Sequence, residues 1–386
     1  MGLIVTTIRW TCLAALWTAT VSVAGEPPPG LSHWLRPQEW QRDTVGPIVS
    51  LGKPSEFDDM DIFAPTVALE DGRYSMWYCG SRDTREKRVF RLGLATSSDG
   101  KQFEKFAENP VFRFSDDVHS VLTPALLRSG EGTVVREDGK LRMWFSSTAF
   151  GKTNLHTLHE ARSADGIHWT EPSTSLLNNV YCPTVLKTSR GYEMWYSDVG
   201  KRPWVIRHAL STDGTDWKVS EPIVLQLSQP WEAEIVVYPS VLHVDGAYLM
   251  WYGSYYSAVR RQTTAVGFAA SIDGLRWHKH PQNPVLRPEP DRPWESNYVG
   301  SGCVIRLADG SFRYWYASRK APPFVNLYFA INTARWAPQP QGAWRLPLPP
   351  AKGDVGILES SHASPNGRRE LDVLEVVGAD DAIVRA

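Results

Sequence analysis

Cysteine is scarce in this 386-residue chain, with four in all. Cys12 lies in an apolar N-terminal run, which leaves Cys79, Cys182 and Cys303, an odd set in apolar surroundings. Such a set fits small buried hydrophobes rather than a disulfide framework or a metal centre. An excess of charge is lacking too. Lys and Arg number 41 against 42 Asp and Glu, for a net charge of −1, so nothing favours a polyanionic partner such as nucleic acid. Past the first residues no apolar run is long enough to span a bilayer. The P-loop, the dinucleotide fingerprint and the nucleophile elbow are all missing. His156-x-x-His159-Glu160 has the residue types of a metal motif but falls in a predicted strand, where helical facing does not apply, so it reads as structural.

The N-terminal run has its own reading. Arg9 precedes a stretch from Trp10 to Val23 broken only by Thr and Ser, and Ser22-Val23-Ala24-Gly25 ends it in small residues. At about 14 residues it is short for a bilayer, and three prolines follow at once. These features predict a signal peptide over residues 1–25, and a secreted or periplasmic protein with no membrane contact after cleavage. A retained anchor is the alternative.

Aromatic residues are abundant, with 17 Trp, 14 Tyr and 13 Phe, and they recur in order. Five segments carry a trio or its variant: Met76-Trp77-Tyr78, Met143-Trp144-Phe145, Met194-Trp195-Tyr196, Met250-Trp251-Tyr252 and Tyr314-Trp315-Tyr316. Four are followed by Ser-x-Asp-Gly turns ending at Gly100, Gly166, Gly214 and Gly274, and the fifth degenerates to Asn332-Thr333-Ala334-Arg335-Trp336. Before each trio lies an apolar strand entered at Pro65, Pro124, Pro183, Pro239 or Gly302. Each unit therefore holds an inner strand, a Trp-bearing strand, a third strand, a turn and an outer strand. Five such units predict an all-β fold: a five-bladed β-propeller with four-stranded antiparallel blades over residues 26–340. Glu39-Trp40-Gln41-Arg42 with Pro47-Ile48-Val49 resembles Asp216-Trp217-Lys218 with Pro222-Ile223-Val224. It is expected to supply the outer strand of the last blade and so close the ring. The tail over residues 341–386, rich in Pro, Gly, Ser and charge, is expected to be mostly disordered.

In such a ring the mouth collects residues just before each inner-strand Pro and just after each trio. Seven places before that Pro (or Gly302) stand Asp58, Asp117, Glu232 and Glu295, with Leu176 in the third unit. An acid recurring in four of five units points to a shared structural task, such as receiving backbone N–H groups. Four or five places before it, the residues diverge into Asp61, His119, Asn179, Glu234 and Asn297. Divergence at an axial polar position is what a functional site on a symmetric scaffold produces. Asp61 and Glu234 are the carboxylates of that set, and glycosidic cleavage needs two on opposite sides of one sugar ring. Asp117 or His119 would tune the acid or bind a hydroxyl. After the trios, Arg82, Asp198, Tyr255 and Arg319 are candidate substrate contacts, with either Arg able to hold a carboxylate.

The Pro-Thr-Val entry, the Met-Trp-Tyr-x-Gly strand and the Ser-x-Asp-Gly-x-x-Trp turn together resemble the five-bladed glycoside hydrolases of families 43, 32, 68, 117 and 130. That resemblance implies an Asp in the first blade, matched by Asp61 (or Asp58), and a second in the next, matched by Asp117. It also implies a Glu in the third, where Asn178 to Pro183 holds no acid and the Glu residues come one blade later, at Glu232 and Glu234. Members with His in place of a carboxylate leave room for His119. The expectation is a glycoside hydrolase with Asp61 as base or nucleophile, Glu234 as acid, and an oligo- or polysaccharide substrate. Its alternatives are a non-catalytic carbohydrate-binding propeller and a phosphorylase using Arg82 and Arg319. No cofactor is implied, an axial Ca²⁺ near His119 stays open, and the oligomeric state is not fixed by the sequence.

Overall fold

The structure is a computed structural model that describes residues 27–82, 84, 87–153, 155–232, 234–255, 264–320, 330–338, 358–363 and 369–374. The expected signal peptide over residues 1–25 lies outside them. Of the expected C-terminal tail, the strands Leu358–Ala363 and Arg369–Leu374 pair as a hairpin, and the rest lies outside the described residues.

Five antiparallel sheets of four strands form the blades of a β-propeller, as expected. From inside outward, blade 1 is Asp61–Glu70, Arg73–Ser81, Arg91–Ser97 and Glu104–Lys105. Blade 2 is Leu122–Leu126, Lys140–Ser147, Thr157–Ser163 and Leu177–Asn178, with the short strand Arg136–Glu137 added beside its second strand. Blade 3 is Val180–Thr188, Gly191–Asp198, Val205–Ser211 and Lys218–Val219. Blade 4 is Ile235–Val244, Ala247–Tyr255, Ala265–Ser271 and His278–Lys279. Blade 5 takes Tyr298–Arg306, Phe312–Arg319 and Ala330–Trp336 from the end of the chain and Val49–Ser50 from its beginning. Gln41 pairs with Arg335 and Val49 with Ile331, so the N-terminal segment closes the ring.

The repeated trio follows from the stacking of blades. Both faces of each sheet are covered, so consecutive positions of the second strand are apolar, and alternate side chains face alternate neighbours. Trp77 packs with Met143 and Phe145 of blade 2, and Trp144 with Met194 and Tyr196 of blade 3. Trp195 packs with Met250 and Tyr252, Trp251 with Tyr314 and Tyr316, and Trp315 with Met76 and Tyr78, which completes the circle. Each indole also bonds forward. Trp77 Nε1 donates to the Gly166 carbonyl at 2.8 Å, Trp144 to Gly214 at 2.8 Å, Trp195 to Gly274 at 2.8 Å and Trp315 to Gly100 at 2.9 Å. Blade 5 has no Gly turn of this kind, and Trp251 donates instead to Gln38 Oε1 of the closing segment at 3.3 Å.

These forward bonds explain the turn. The Ser Oγ accepts the Gly N–H at 2.8–2.9 Å in all four copies. The Asp carboxylate accepts the N–H groups of the two residues after the Gly. Gly is required twice over, because φ is +78° at Gly166 and a Cβ there would lie 2.6 Å from the Trp77 ring.

The recurrent acids share one task. Asp58 accepts from Tyr78 Oη at 2.8 Å and from Lys105 Nζ at 2.7 Å. Glu232 accepts from Tyr252 Oη at 2.7 Å and pairs with Lys279, and it also receives the N–H groups of Ser228 and Gln229. Glu295 accepts from Tyr316 Oη at 2.7 Å and pairs with Arg292 and, at 3.0 Å, with Arg42. The task the three share is therefore to hold the tyrosine hydroxyl and a cation, while receipt of backbone N–H groups, the expected task, is seen at Glu232 among them. Burial and then the adjacent carboxylate push the phenols of Tyr78, Tyr252 and Tyr316 far above their usual range, so each stays a protonated donor.

Candidate active site at the propeller mouth

Every inner strand carries a register shift beside its entry residue, and the residue before that Pro or Gly takes a left-handed backbone. Values of φ are +51° at Ala64, +47° at Thr123, +52° at Cys182, +58° at Tyr238 and +53° at Ser301. Five bulges in a ring bend the strands where they reach the axis and re-aim the side chains before them. Below the bulges the strands line a narrow axial channel with Thr66, Thr123, Thr184 and Ser240. Arg128 lies across it, donating to Gly132 O, Thr66 Oγ1 and Val67 O.

Above the bulges lies a cavity of about 180 Å³. Blade 1 contributes Asp61, Phe63, Arg88 and Phe90, and blade 2 contributes Phe150 and His156. Tyr181, Arg202 and Trp204 come from blade 3, with Ile235 and Tyr238 from blade 4. Asp61 opens the first inner strand with its side chain 2% exposed, and Arg88 Nη1 lies 3.6 Å from its carboxylate. Glu234 immediately precedes the fourth inner strand. Its side chain is 43% exposed and its Oε2 lies 3.5 Å from Nη1 of Arg202, a residue of the cavity wall. The arginine guanidinium rides over the Trp204 ring, 5.3 Å from its centroid. His156 meets Tyr181 edge-on with ring centres 5.0 Å apart, and burial lowers the imidazole to about 4, which keeps it neutral near pH 7.

The other expected site residues lie elsewhere. Asp117, with φ of +48°, bonds Arg113 at 2.7 Å and Arg91 at 3.5 Å on an exposed loop. Its counterparts hold a tyrosine, but in blade 2 the third trio residue is Phe145, which has no hydroxyl to offer. His119 holds Asp116 through Nδ1 at 2.5 Å on the same loop. Among the described residues no group of three or more His, Cys, Asp or Glu could hold a metal ion. Asp198 accepts from Arg207 Nε at 2.9 Å and from the Gly200 N–H. The half-buried Asn179 backs onto Gly200. Asn297 donates its N–H to the Arg319 carbonyl at 3.2 Å, while the buried Arg319 side chain stacks 4.6 Å from the Tyr298 centroid. Arg82 is exposed beside a groove formed with residues 48–58 and 103–110. Tyr255 ends the second strand of blade 4, and its side chain lies outside the described atoms.

Arg88, His156, Arg202, Trp204 and Tyr181 are cavity residues that the sequence pattern does not single out as a site. Four of them sit on connections from second to third strands, which carry no repeat. The pattern puts His156 inside a strand, yet it stands one residue before Thr157–Ser163 and faces the cavity.

No family model matches the chain. It is 25% identical over 221 residues to the uncharacterized protein Rv1502 of Mycobacterium tuberculosis, spanning 53% of this chain and 71% of that protein. Among solved structures it resembles BT0996 in an RGII complex, with a TM-score of 0.62, 17% identity, and coverage of 81% of this chain and 96% of the other. It also resembles a structure from the GH130 family of mannoside phosphorylases, described as containing glycoside hydrolases that target β-1,2-mannosidic linkages in Candida mannan. That match has a TM-score of 0.60, 16% identity, and coverage of 78% and 94%. At these identities the likeness establishes the scaffold: a five-bladed propeller that glycoside hydrolases and phosphorylases share.

Proposed function

We propose that the protein is a carbohydrate-active enzyme, a glycoside hydrolase working at the mouth cavity. The observation that carries this reading is the shared wall. Asp61 from blade 1 and Arg202, the partner of Glu234 from blade 4, line one sugar-sized space together with Tyr181, Trp204 and Tyr238. Aromatic faces suit the apolar side of a sugar ring, and two carboxylates from different blades suit cleavage of its glycosidic bond. Arg88 Nη1, 3.6 Å from the Asp61 carboxylate, helps to fix that group in the cavity wall for the base or nucleophile role. Glu234, exposed toward the mouth, takes the acid role at the leaving oxygen. His156 is neutral, and its buried Nδ1 meets no hydrogen-bond partner among the described residues. Its ring can therefore offer one nitrogen as donor and the other as acceptor to a hydroxyl. The N-terminal sequence supports action outside the cytoplasm, on an oligo- or polysaccharide.

Two arginines on one small cavity also favour a second reading, phosphorolysis, in which inorganic phosphate replaces water. A panel of aryl glycosides and oligosaccharides, assayed with and without inorganic phosphate, separates the two. Hydrolysis predicts free sugar at the same rate in both conditions. A sugar phosphate formed only with added phosphate would assign the second reading, and no turnover of any glycoside would leave a binding propeller.

A further inference from the structure

Arg128, two residues past the inner strand of blade 2, is 5% exposed and lies across the axial channel. Two other arginines buried as deeply are each held by acids: Arg142 by Glu137 and Glu160, and Arg313 by Asp43. Arg128 has no such partner. Its Nη1 donates to the Gly132 carbonyl at 2.8 Å, and its Nη2 reaches Val67 O at 2.6 Å, Thr66 Oγ1 at 3.0 Å and Cys303 Sγ at 3.3 Å. Those are two carbonyls, a hydroxyl and a sulfur, and no carboxylate stands at ion-pair distance among the described residues. A guanidinium taken out of water without a countercharge is costly.

The same channel presents further donors. Ser301 Oγ, buried on the fifth inner strand, meets no hydrogen-bond partner among the described residues. Ser240 Oγ accepts the Val304 N–H at 3.0 Å and Thr66 Oγ1 accepts from Arg128, so each hydroxyl keeps its own proton to give. Thr184 and Thr123 spend theirs within the protein, on Pro239 O and Ser146 Oγ. The channel lining holds no Asp or Glu among the described residues, and the space is about 50 Å³. A single water needs about 10–15 Å³ by this kind of measure, so there is room for a few water-sized particles.

We propose that the axial channel binds a small monovalent anion of the chloride class against Arg128, with the hydroxyls of Ser301, Ser240 and Thr66 as its other donors. The site lies below the bulges, apart from the mouth cavity, and does not rest on the hydrolase reading. A Ca²⁺ ion would meet a guanidinium there and no carboxylate, the reverse of what it requires. A sulfate or phosphate dianion exceeds the one buried positive charge and outgrows the space. The donors come from the inner strands of blades 1, 4 and 5 and from the segment that follows that of blade 2. An ion among them ties four blades together at the axis, so it stabilises the closed ring rather than taking part in the chemistry.

Thermal melting of the purified full-length protein, exchanged into sodium gluconate and titrated with sodium chloride at constant ionic strength, tests this. The expected result is a melting temperature that rises with chloride and saturates, by about 3 °C or more. Crystals grown in sodium bromide should show an anomalous peak within hydrogen-bond reach of the Arg128 guanidinium. Ser301→Ala removes a hydroxyl that makes no described bond, so it should fold and need more chloride for the same rise, and Arg128→Met should abolish the rise. Should Arg128→Met fail to fold, Ser301→Ala and the bromide peak decide. The same melting temperature in both salts, or bromide crystals with no peak in the channel, would overturn the proposal and leave the space to water. A chloride response undiminished in both variants would overturn it too, by placing the ion elsewhere.

Discussion

His156 shows how much a single side chain at the mouth changes the chemistry on offer. Within its His-x-x-His-Glu string it reads as an inert strand residue, and its position one residue outside the strand turns the ring toward the cavity. Burial lowers it and His159 to about 4. A group whose folded value lies below its unfolded value of about 6.5 binds fewer protons when folded, so stability rises with pH across that window and is lost as pH falls from 6.5 toward 4. From pH 7 to pH 5 the loss comes to roughly 2 kcal/mol for a well-buried imidazole. Thermal melts of the wild type at pH 7 and pH 5 should show that drop, and His156→Gln should show a smaller one. An equal drop in both proteins would contradict the assignment.

At the same scale, the carboxylate assignments are unequal in their surroundings. Asp61 is buried beside Arg88, whereas Glu234 is half-exposed beside Arg202. This asymmetry fits two different roles: the enclosed carboxylate for the base or nucleophile within the cavity, and the solvent-reached one for the acid on the leaving-group side. Asp117 was legible as a third candidate through the resemblance, which implies an Asp in the second blade, whereas the recurrence of an acid at that position pointed to a structural task. The contrary signal was present in the same repeat: Phe145 replaces the tyrosine that the other acids hold, and Asp117 pairs with Arg113 and Arg91 on the surface instead.

Among elements, the blade was the most legible unit, because every feature that builds it repeats. The trio fills the interfaces on both sides of a sheet, the Ser-x-Asp-Gly turn gives its carbonyl to the previous blade's Trp, and the entry acid joins the second and outer strands. The connections that supply Arg88, His156, Arg202 and Trp204 repeat nothing, and periodicity could not find them. Blade 3 shows what the acid contributes, since Leu176 takes its place opposite Tyr196. Tyr252→Phe, which deletes a donor to the buried Glu232, should cost about 2 kcal/mol. Tyr196→Phe, with no such acid to serve, should cost less than about 0.5 kcal/mol. Denaturant unfolding of the two variants decides this, and equal losses would mean that the acid contributes nothing specific.

For the whole molecule, closure is the feature on which the mouth depends, because its walls come from four blades held in a ring. The likeness of residues 39–49 to residues 216–224 identified the closing segment, and the pairings Gln41 with Arg335 and Val49 with Ile331 place it. Arg42 then serves Glu295 as Lys105 serves Asp58 and Lys279 serves Glu232. Here alone the two partners come from opposite ends of the propeller. A chain lacking residues 27–50 leaves the third strand of blade 5 as an open edge, with Glu295 short of one cation. The loss should be several kcal/mol, or about 10 °C or more in melting temperature, with a tendency to aggregate. A truncated chain that melts with the full one would show that the ring closes without the N-terminal strand.

The most direct test of the mouth as a catalytic centre is the residual turnover of Asp61→Asn and Glu234→Gln on the best glycoside from the panel, in proteins shown by thermal melting to be folded. The account predicts that each substitution lowers kcat by about 10²–10⁴-fold. Wild-type turnover in both folded variants would contradict it.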